Sequence, residues 1–311
     1  MKRFQKILVS VDTRFDQSFI VDEGARLARH NGAGLLLVDV MPDLPALSRL
    51  ASKGDKPLLD LTVDEKQARL EQLAGSLRES GLNVETRVLE GRTSVAVIQA
   101  VQRRHADLVM RITKGRHSRN EGFFGNTAWR LLRHCPCPVW LLRHDRQPEF
   151  RHVLGCVNTS SEEPADAELN DGIVELSSSL AESHGGRYSV VHAWSLWGEH
   201  LLRGHAREAE FQRIRNDYEH RVRESLNRFL DRHDIPRDSD RVHLVHGEPQ
   251  HVIPAFVHQQ DVDLLVMGTV ARAGLQGLVM GNDAEKILGK VSCSLLALKP
   301  EGFESTIQPE D

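Results

Sequence analysis

The chain has 311 residues, of which 40% are hydrophobic, 27% charged and only 5% aromatic, and its formal net charge is −4. That length favours two domains, and the slight acidity excludes a general attraction to nucleic acid or anionic membrane. No run of about 18 apolar residues occurs, so no membrane-spanning helix is expected. The opening MKRFQKILVSVD has only a short apolar run that stops at Asp12, without a small-residue cleavage site, so it reads as structure and not as a signal peptide. Four cysteines, Cys135, Cys137, Cys156 and Cys293, are too few to staple a chain of this size, and a reducing, cytoplasmic setting is expected.

Lys6 to Val11 is a short apolar run, the pattern of a strand buried on both faces. A helix is predicted from about Gln17 to His30, with Asn31-Gly32 as its C-cap, then a strand over Leu35 to Val40. Residues 42–62 read as irregular, with prolines at 42, 45 and 57. Leu70, Leu73 and Leu77 mark one helical face. Val84 to Leu89 is the next strand, and Ser94 is the expected N-cap of a short helix. Asp107 to Met110 reads as a strand, Thr127 to His134 as a helix, and Val139 to Leu142 as a fifth strand. A linker near Asp145 to Glu149 leads into the same order again. Strands are expected near 152–157, 188–193, 241–245, 263–267 and 295–299. The second helix is longer here, with Ile214, Tyr218, Val222, Leu226 and Phe229 sharing a face. The polar, acidic tail after Lys299 is expected to be loose.

The reason for the second round is internal repetition. Gly91 to Leu142 aligns without a gap on Gly247 to Leu298, at a constant offset of 156. Asp107-Leu108 falls on Asp263-Leu264, Gly125-Asn126 on Gly281-Asn282, and Cys137 on Cys293; QKILVSVDT also parallels RHVLGCVNT. Alternating strands and helices imply an α/β fold. The expectation is two tandem Rossmann-like domains, residues 1–145 and 150–300, each a mostly parallel five-stranded sheet flanked by helices. Ligands of such sheets sit at the carboxyl ends of strands where the strand order switches. Those ends are Asp12 and Arg111 in copy one, Asn158 and Met267 in copy two.

After Met267 the chain reads GTVARAGLQGLVMGNDAEKIL. Glycines that let backbone amides approach an anion, followed by a helix start, are the parts of a phosphate cradle. The competing reading is a turn plus a helix cap, with Asn282 as the cap. Asp12 reads equally as a ribose ligand or as an acid capping the next turn, and Asn158 is its uncharged counterpart. The basic loop Arg111, Lys114, Arg116, His117, Arg119 reads as a solvated surface, and no aromatic interleaving suggests nucleic-acid binding. Cys135-Pro136-Cys137 has no second pair for zinc, and Cys137 and Cys293 read as core packing. No histidine pair around the long helix has the spacing of a helical metal site. Gly32-Ala33-Gly34 precedes a strand, the wrong side for a dinucleotide fingerprint. No nucleophile elbow, Walker loop or paired carboxylates can be identified as catalytic.

The segment resembles the universal stress protein family, and nearly the whole chain resembles its two-domain E type. The family's ATP-binding members carry G-x2-G-x9-G-(S/T) after the fourth strand and an Asp at the end of the first. Copy two reads Gly268-x2-Ala271-x9-Gly281-Asn282, with Asn158 in place of that Asp. Copy one reads Ile112-x2-Gly115-x9-Gly125-Asn126 and keeps Asp12. The resemblance implies an adenine nucleotide alpha hydrolase-like fold and a stress-response protein that binds rather than catalyses. Its ligand would be ATP, a related nucleotide or another phosphate-bearing small molecule, with no metal beyond a nucleotide-associated Mg. The main site would lie in copy two, at Asn158, Gly268, Thr269, Ala271, Arg272, Gly281 and Asn282. Copy one, with Asp12, Gly115, Gly125 and Asn126, would be the degraded copy. The alternative is a scaffold without nucleotide, or a binder of an apolar ligand in the cleft, which Ala271 and Asn158 favour. The family's domains pair through their last strands, which implies an intramolecular pseudo-dimer through Val139 to Leu142 and Leu295 to Leu298.

Overall fold

The computed structural model describes residues 4–42, 52–53, 56–114, 123–143, 149–161, 163–205, 207–272 and 278–308. The chain divides into two compact units. One combines Met1–Pro148 with Phe303–Asp311, and the other is Glu149–Gly302.

In the N-terminal unit the buried run at the start becomes β1 (Lys6–Ser10), followed by α1 (Ser18–Asn31), which ends on left-handed Gly32, and β2 (Gly34–Met41). A two-residue antiparallel ribbon, β3 (Ser52–Lys53) and β4 (Lys56–Pro57), precedes α2 (Leu58–Glu79). The helix therefore begins inside the stretch that reads as irregular, directly after Pro57. β5 (Val84–Glu90), α3 (Thr93–Arg104), β6 (Leu108–Ile112), α4 (Asn126–His134) and β7 (Val139–Leu142) complete the series. Every pairing within this unit's five-stranded sheet is parallel, in the order β7-β6-β1-β2-β5. The order reverses between β1 and β6, so their carboxyl ends flank the crevice where such sheets receive ligands.

The C-terminal unit repeats the plan with β8 (His152–Cys156), α5 (Pro164–Ser183) and β9 (Arg187–Trp194). A short α6 (Glu199–His205) and the long α7 (Glu208–Arg232) follow, then β10 (Val242–His246), α8 (Pro249–Gln259) and β11 (Leu264–Gly268). The loop after β11 folds into a ribbon, β12 (Val270–Arg272) with β13 (Leu278–Met280), before α9 (Asn282–Leu288) and β14 (Ser294–Leu298). Its main sheet is also parallel, ordered β10-β9-β8-β11-β14.

Aliphatic side chains make both cores, as the low aromatic content requires. Ile7, Leu8 and Val9 on β1, and Leu264, Leu265 and Val266 on β11, are wholly buried. At the turn into β9, a Cβ added to Gly186 would lie 2.1 Å from the Phe150 carbonyl oxygen, so only glycine lets the two backbones approach. All four cysteines are buried and none is in a disulfide, in line with packing roles for Cys137 and Cys293. No described helix is long and apolar enough to cross a membrane.

The tail is not loose where it is described. Phe303 is buried. Gln102 Nε2 donates to the Ile307 carbonyl at 2.9 Å, Gln99 Nε2 to that of Gln308 at 3.4 Å, and the Thr306 hydroxyl meets His134 Nδ1 at 2.8 Å. These segments anchor to α3 and the end of α4, within the N-terminal unit.

Candidate functional site

In the C-terminal unit a cavity of about 540 Å³ opens at the carboxyl ends of β8 and β11, at the switch in strand order. α5 supplies one wall with Leu169, Asn170 and Ile173, and the start of α9 another with Asp283, Ala284 and Ile287. A third wall is aromatic. Trp194 at the end of β9 lies 5.9 Å, centroid to centroid, from Tyr218 on α7, and 4.5 Å from the ring of His246. Trp194 and Tyr218 both face the cavity, a surface suited to a flat apolar group.

The end of β8 is fixed by reciprocal amides. Asn158 N–H donates to Asn170 Oδ1 and Asn170 Nδ2 donates back to the Asn158 carbonyl, each at 2.9 Å. The Asn158 side chain accepts from Ser160 N–H at 3.2 Å, as a turn-capping Asn does. Deeper in lies His192, 1% exposed. Thr159 N–H can only donate, so its 3.4 Å approach to His192 Nδ1 makes that nitrogen the acceptor. It also receives the Thr159 hydroxyl at 2.9 Å, and Nε2–H then points at Ser160 Oγ, 3.3 Å away. Burial holds the imidazole neutral, with its pKa pulled down to about 4.

Copy one treats the same place differently. Asp39 on β2, where copy two has His192, accepts from Thr13 N–H at 2.9 Å, from its hydroxyl at 2.6 Å and from buried Lys66 Nζ at 2.6 Å. Val222 stands where Lys66 does, so the charged pair of one copy is a neutral pair in the other. Asp12 is already engaged. Arg14 Nε and a terminal guanidinium nitrogen grip its two oxygens at 2.8 and 2.7 Å. Burial pushes the Asp12 carboxyl up, but the Arg14 bonds and charge outweigh it and leave it below its usual range. Arg111, at the position of Met267, bonds Ser10 Oγ at 2.5 Å across the β1/β6 crevice. Burial draws its pKa down, against the opposing charges of Asp12 and Asp39.

The phosphate-loop residues are placed as follows. Asn158, Gly268, Thr269 and Gly281 all line the 540 Å³ cavity. Yet the amide expected of Gly281 donates to the Thr269 carbonyl at 3.0 Å, and Thr269 N–H points to that of Leu298 at 3.4 Å. The Thr269 hydroxyl accepts from Lys299 Nζ at 3.2 Å. Gly268 has a packing reason to lack a side chain, because a Cβ there would meet Leu169 Cδ2 at 2.5 Å. Ala271 and Arg272 belong to the β12 backbone, paired with Val279 and Leu278. Gly281 is the N-cap of α9 and Asn282 its first residue, with no side-chain cap bond, so Asn282 is not the expected cap. It is exposed, and its neighbour Asp283 faces the cavity instead. In copy one Gly125 N–H likewise donates to the Thr113 carbonyl, at 2.8 Å. Asn126 is exposed and borders a shallow cavity with Arg92, Trp129 and Arg130, away from Asp12. Gly115 and the basic loop from Arg116 to Arg119 lie outside the described residues.

Sequence reasoning did not pick out Asn170, His192 or Trp194 as site residues. Each sits inside a regular element where only strand order and helix packing bring it to the crevice. The one available signal was the copy-to-copy comparison, in which Asp39 and Arg111 fall on His192 and Met267.

A parallel sheet of this order with a glycine-ended loop after its fourth strand, present twice, defines a duplicated Rossmann-like α/β protein. The chain belongs to the universal stress protein family, whose model matches residues 3–143 and again 149–299. It is 27% identical to universal stress protein E of Photorhabdus laumondii, over 99% of each chain. It is 26% identical to universal stress protein E of Escherichia coli K12, over 100% of this chain and 99% of that one. Among solved structures, a functionally unknown protein of Pseudomonas aeruginosa PAO1 superposes with a TM-score of 0.74 at 22% identity, covering 96% of this chain and 94% of that one. A universal stress protein of Archaeoglobus fulgidus superposes with a TM-score of 0.56 at 16% identity, covering 94% and 98%.

Proposed function

We propose that this chain is a cytoplasmic stress-response binding protein whose C-terminal unit holds one small molecule by a flat, uncharged part, and that the glycine loop does not hold a polyphosphate. The observation that carries the reading is the charge of the lining. Asp166, Glu248 and Asp283 face the cavity, and among its described lining residues there is no lysine or arginine. Three carboxylates repel a triphosphate, and the Thr269 and Gly281 amides that could offset them are bonded within the chain. Trp194 and Tyr218 offer a stacking wall, and Asn158 an exposed amide for orientation. His192 is bonded to Thr159 and Ser160 and held neutral, a positioning role that fits binding without catalysis.

Mass spectrometry of small molecules released from the purified protein, followed by calorimetric titration with adenosine and ATP, tests the reading. Adenosine is expected to bind, and Trp194→Ala to abolish it. ATP is expected to gain roughly tenfold or more in affinity when Asp283→Ser and Glu248→Gln remove two like charges. ATP bound tightly by the unmodified protein and lost on Gly281→Val, with Trp194→Ala harmless, would overturn the proposal in favour of the phosphate cradle.

A further inference from the structure

A second cavity, about 590 Å³, lies in the same unit between the residues after β8, the first half of α5 and α7. Its character is opposite to that of the first. Arg221, Arg228 and Arg232 line it. With Ser225, their spacing along α7 places them on one stripe of the helix. Arg232 is engaged by Asp171 at 3.4 Å. Arg221 stacks over the Tyr218 ring at 5.7 Å, and its Nε reaches only a carbonyl, that of Asp217, at 3.4 Å. Arg228 has no carboxylate partner among the described residues, and both it and Arg221 are exposed. Glu224, the one carboxylate among the described lining residues, lies 3.6 Å from His220 Nδ1 along the helix.

The two cavities adjoin one another. Ser160, Asn170 and Tyr218 line both. At that junction Ser160 Oγ accepts from His192 Nε2–H, so its own O–H is available to donate into the opening. The arginines are also peculiar to this copy. Ser225 and Arg69, 156 positions apart, make the same bond, to the carbonyls of Thr159 and Thr13 respectively, which fixes the alignment of α7 with α2. At that offset Glu65 and Gln72 stand where Arg221 and Arg228 do. The copy whose crevice Arg111 crosses thus lacks the arginines, and the copy with the open cavity has them.

We propose that the α7 face is an anion subsite, and that a ligand carrying a phosphate or pyrophosphate group seats that charge on Arg221 and Arg228 with the Ser160 hydroxyl between them and the first cavity. The anion therefore lies on the side away from the glycine loop. The subsite stands on the arginines alone; only the identity of the ligand's uncharged part rests on the function proposed above.

Full-length protein titrated with inorganic pyrophosphate at low ionic strength gives the test. The unmodified chain is expected to bind, and Arg221→Glu with Arg228→Glu to weaken binding by about tenfold or more, the effect of losing charge-assisted bonds. Arg272→Glu, on the glycine loop, is expected to change it by no more than about twofold, the reach of a screened surface charge. Absence of binding, indifference to the α7 pair, or a loss confined to Arg272→Glu would each overturn the subsite. Parallel titrations with adenosine and its monophosphate separate the two claims. A preference for the monophosphate that vanishes in the α7 variant supports the subsite. Pyrophosphate bound through α7 without any adenosine binding also supports it, while removing the proposed occupant of the first cavity.

Discussion

Asp39 with Lys66, and His192 with Val222, are two answers to one question of how to satisfy a threonine at the end of the first strand. Asp39 is 2% exposed and Lys66 7%, so each buried charge has the other as its partner at 2.6 Å. Placing Asp at 192 alone leaves a buried carboxylate without its cation, a cost of roughly 3–5 kcal/mol. His192→Asp is therefore expected to lower urea stability of the C-terminal unit by about that amount, and adding Val222→Lys to recover most of it, as a double-mutant cycle would show. Additive effects would mean that the two copies do not share this arrangement. His192 also sets a pH dependence. Its folded pKa is depressed from 6.5 to about 4, so below pH 6.5 the unfolded chain binds a proton that the folded chain refuses. Stability then falls as pH drops toward 4, by on the order of 3 kcal/mol in total, and is unaffected above 6.5. His192→Gln is expected to flatten this slope in denaturation curves taken between pH 7 and 4.

At the scale of elements, two glycines set how closely parts of the C-terminal unit approach. At Gly186 the obstacle to a side chain is the backbone of Phe150 and Arg151, which cannot turn aside. At Gly268 it is the end of Leu169, which can. Gly186→Ala is accordingly expected to cost more than about 2 kcal/mol, and Gly268→Ala less, with Leu169→Ala relieving only the second. Equal costs, or rescue of both, would contradict this. The same pair shows what the sequence reveals. Strands buried on both faces leave apolar runs, and helices leave leucine stripes, so the order of elements was legible twice over. A glycine required by a packed leucine looks the same in sequence as one that admits a phosphate. Cap positions slipped for a related reason. Ser94 lies one residue inside α3, whose N-cap is Arg92, and its hydroxyl accepts from Arg130 Nε at 3.0 Å instead of capping. Whether the Gly281 amide is open or bonded to Thr269 depends on the pairing of β12 with β13, which no periodicity announced.

For the whole molecule, duplication has allowed divergence. Arg111 crosses the crevice of one copy, and Met267 leaves that of the other open, with carboxylates on one side and α7 arginines beyond. The N-terminal unit also draws on residues far along the chain, since Phe303 is buried and the backbone at 307 and 308 is held by Gln102 and Gln99. Deletion of residues 303–311 is expected to lower the unfolding midpoint of the N-terminal unit by several degrees, the effect of about 1–2 kcal/mol in a domain of this size. The C-terminal unit, which contains none of these residues, is expected to unfold unchanged, and hydrogen exchange resolved by peptide would show which unit loses protection.

That anchoring carries a consequence for synthesis. A polypeptide emerging from the ribosome presents its earliest segments first, yet here the first unit to appear is closed by residues translated after the second has been made. The later unit is continuous from Glu149 to Gly302, whereas the earlier one draws on residues from both sides of it. The first unit to appear is therefore completed only once the last residues of the chain have been made.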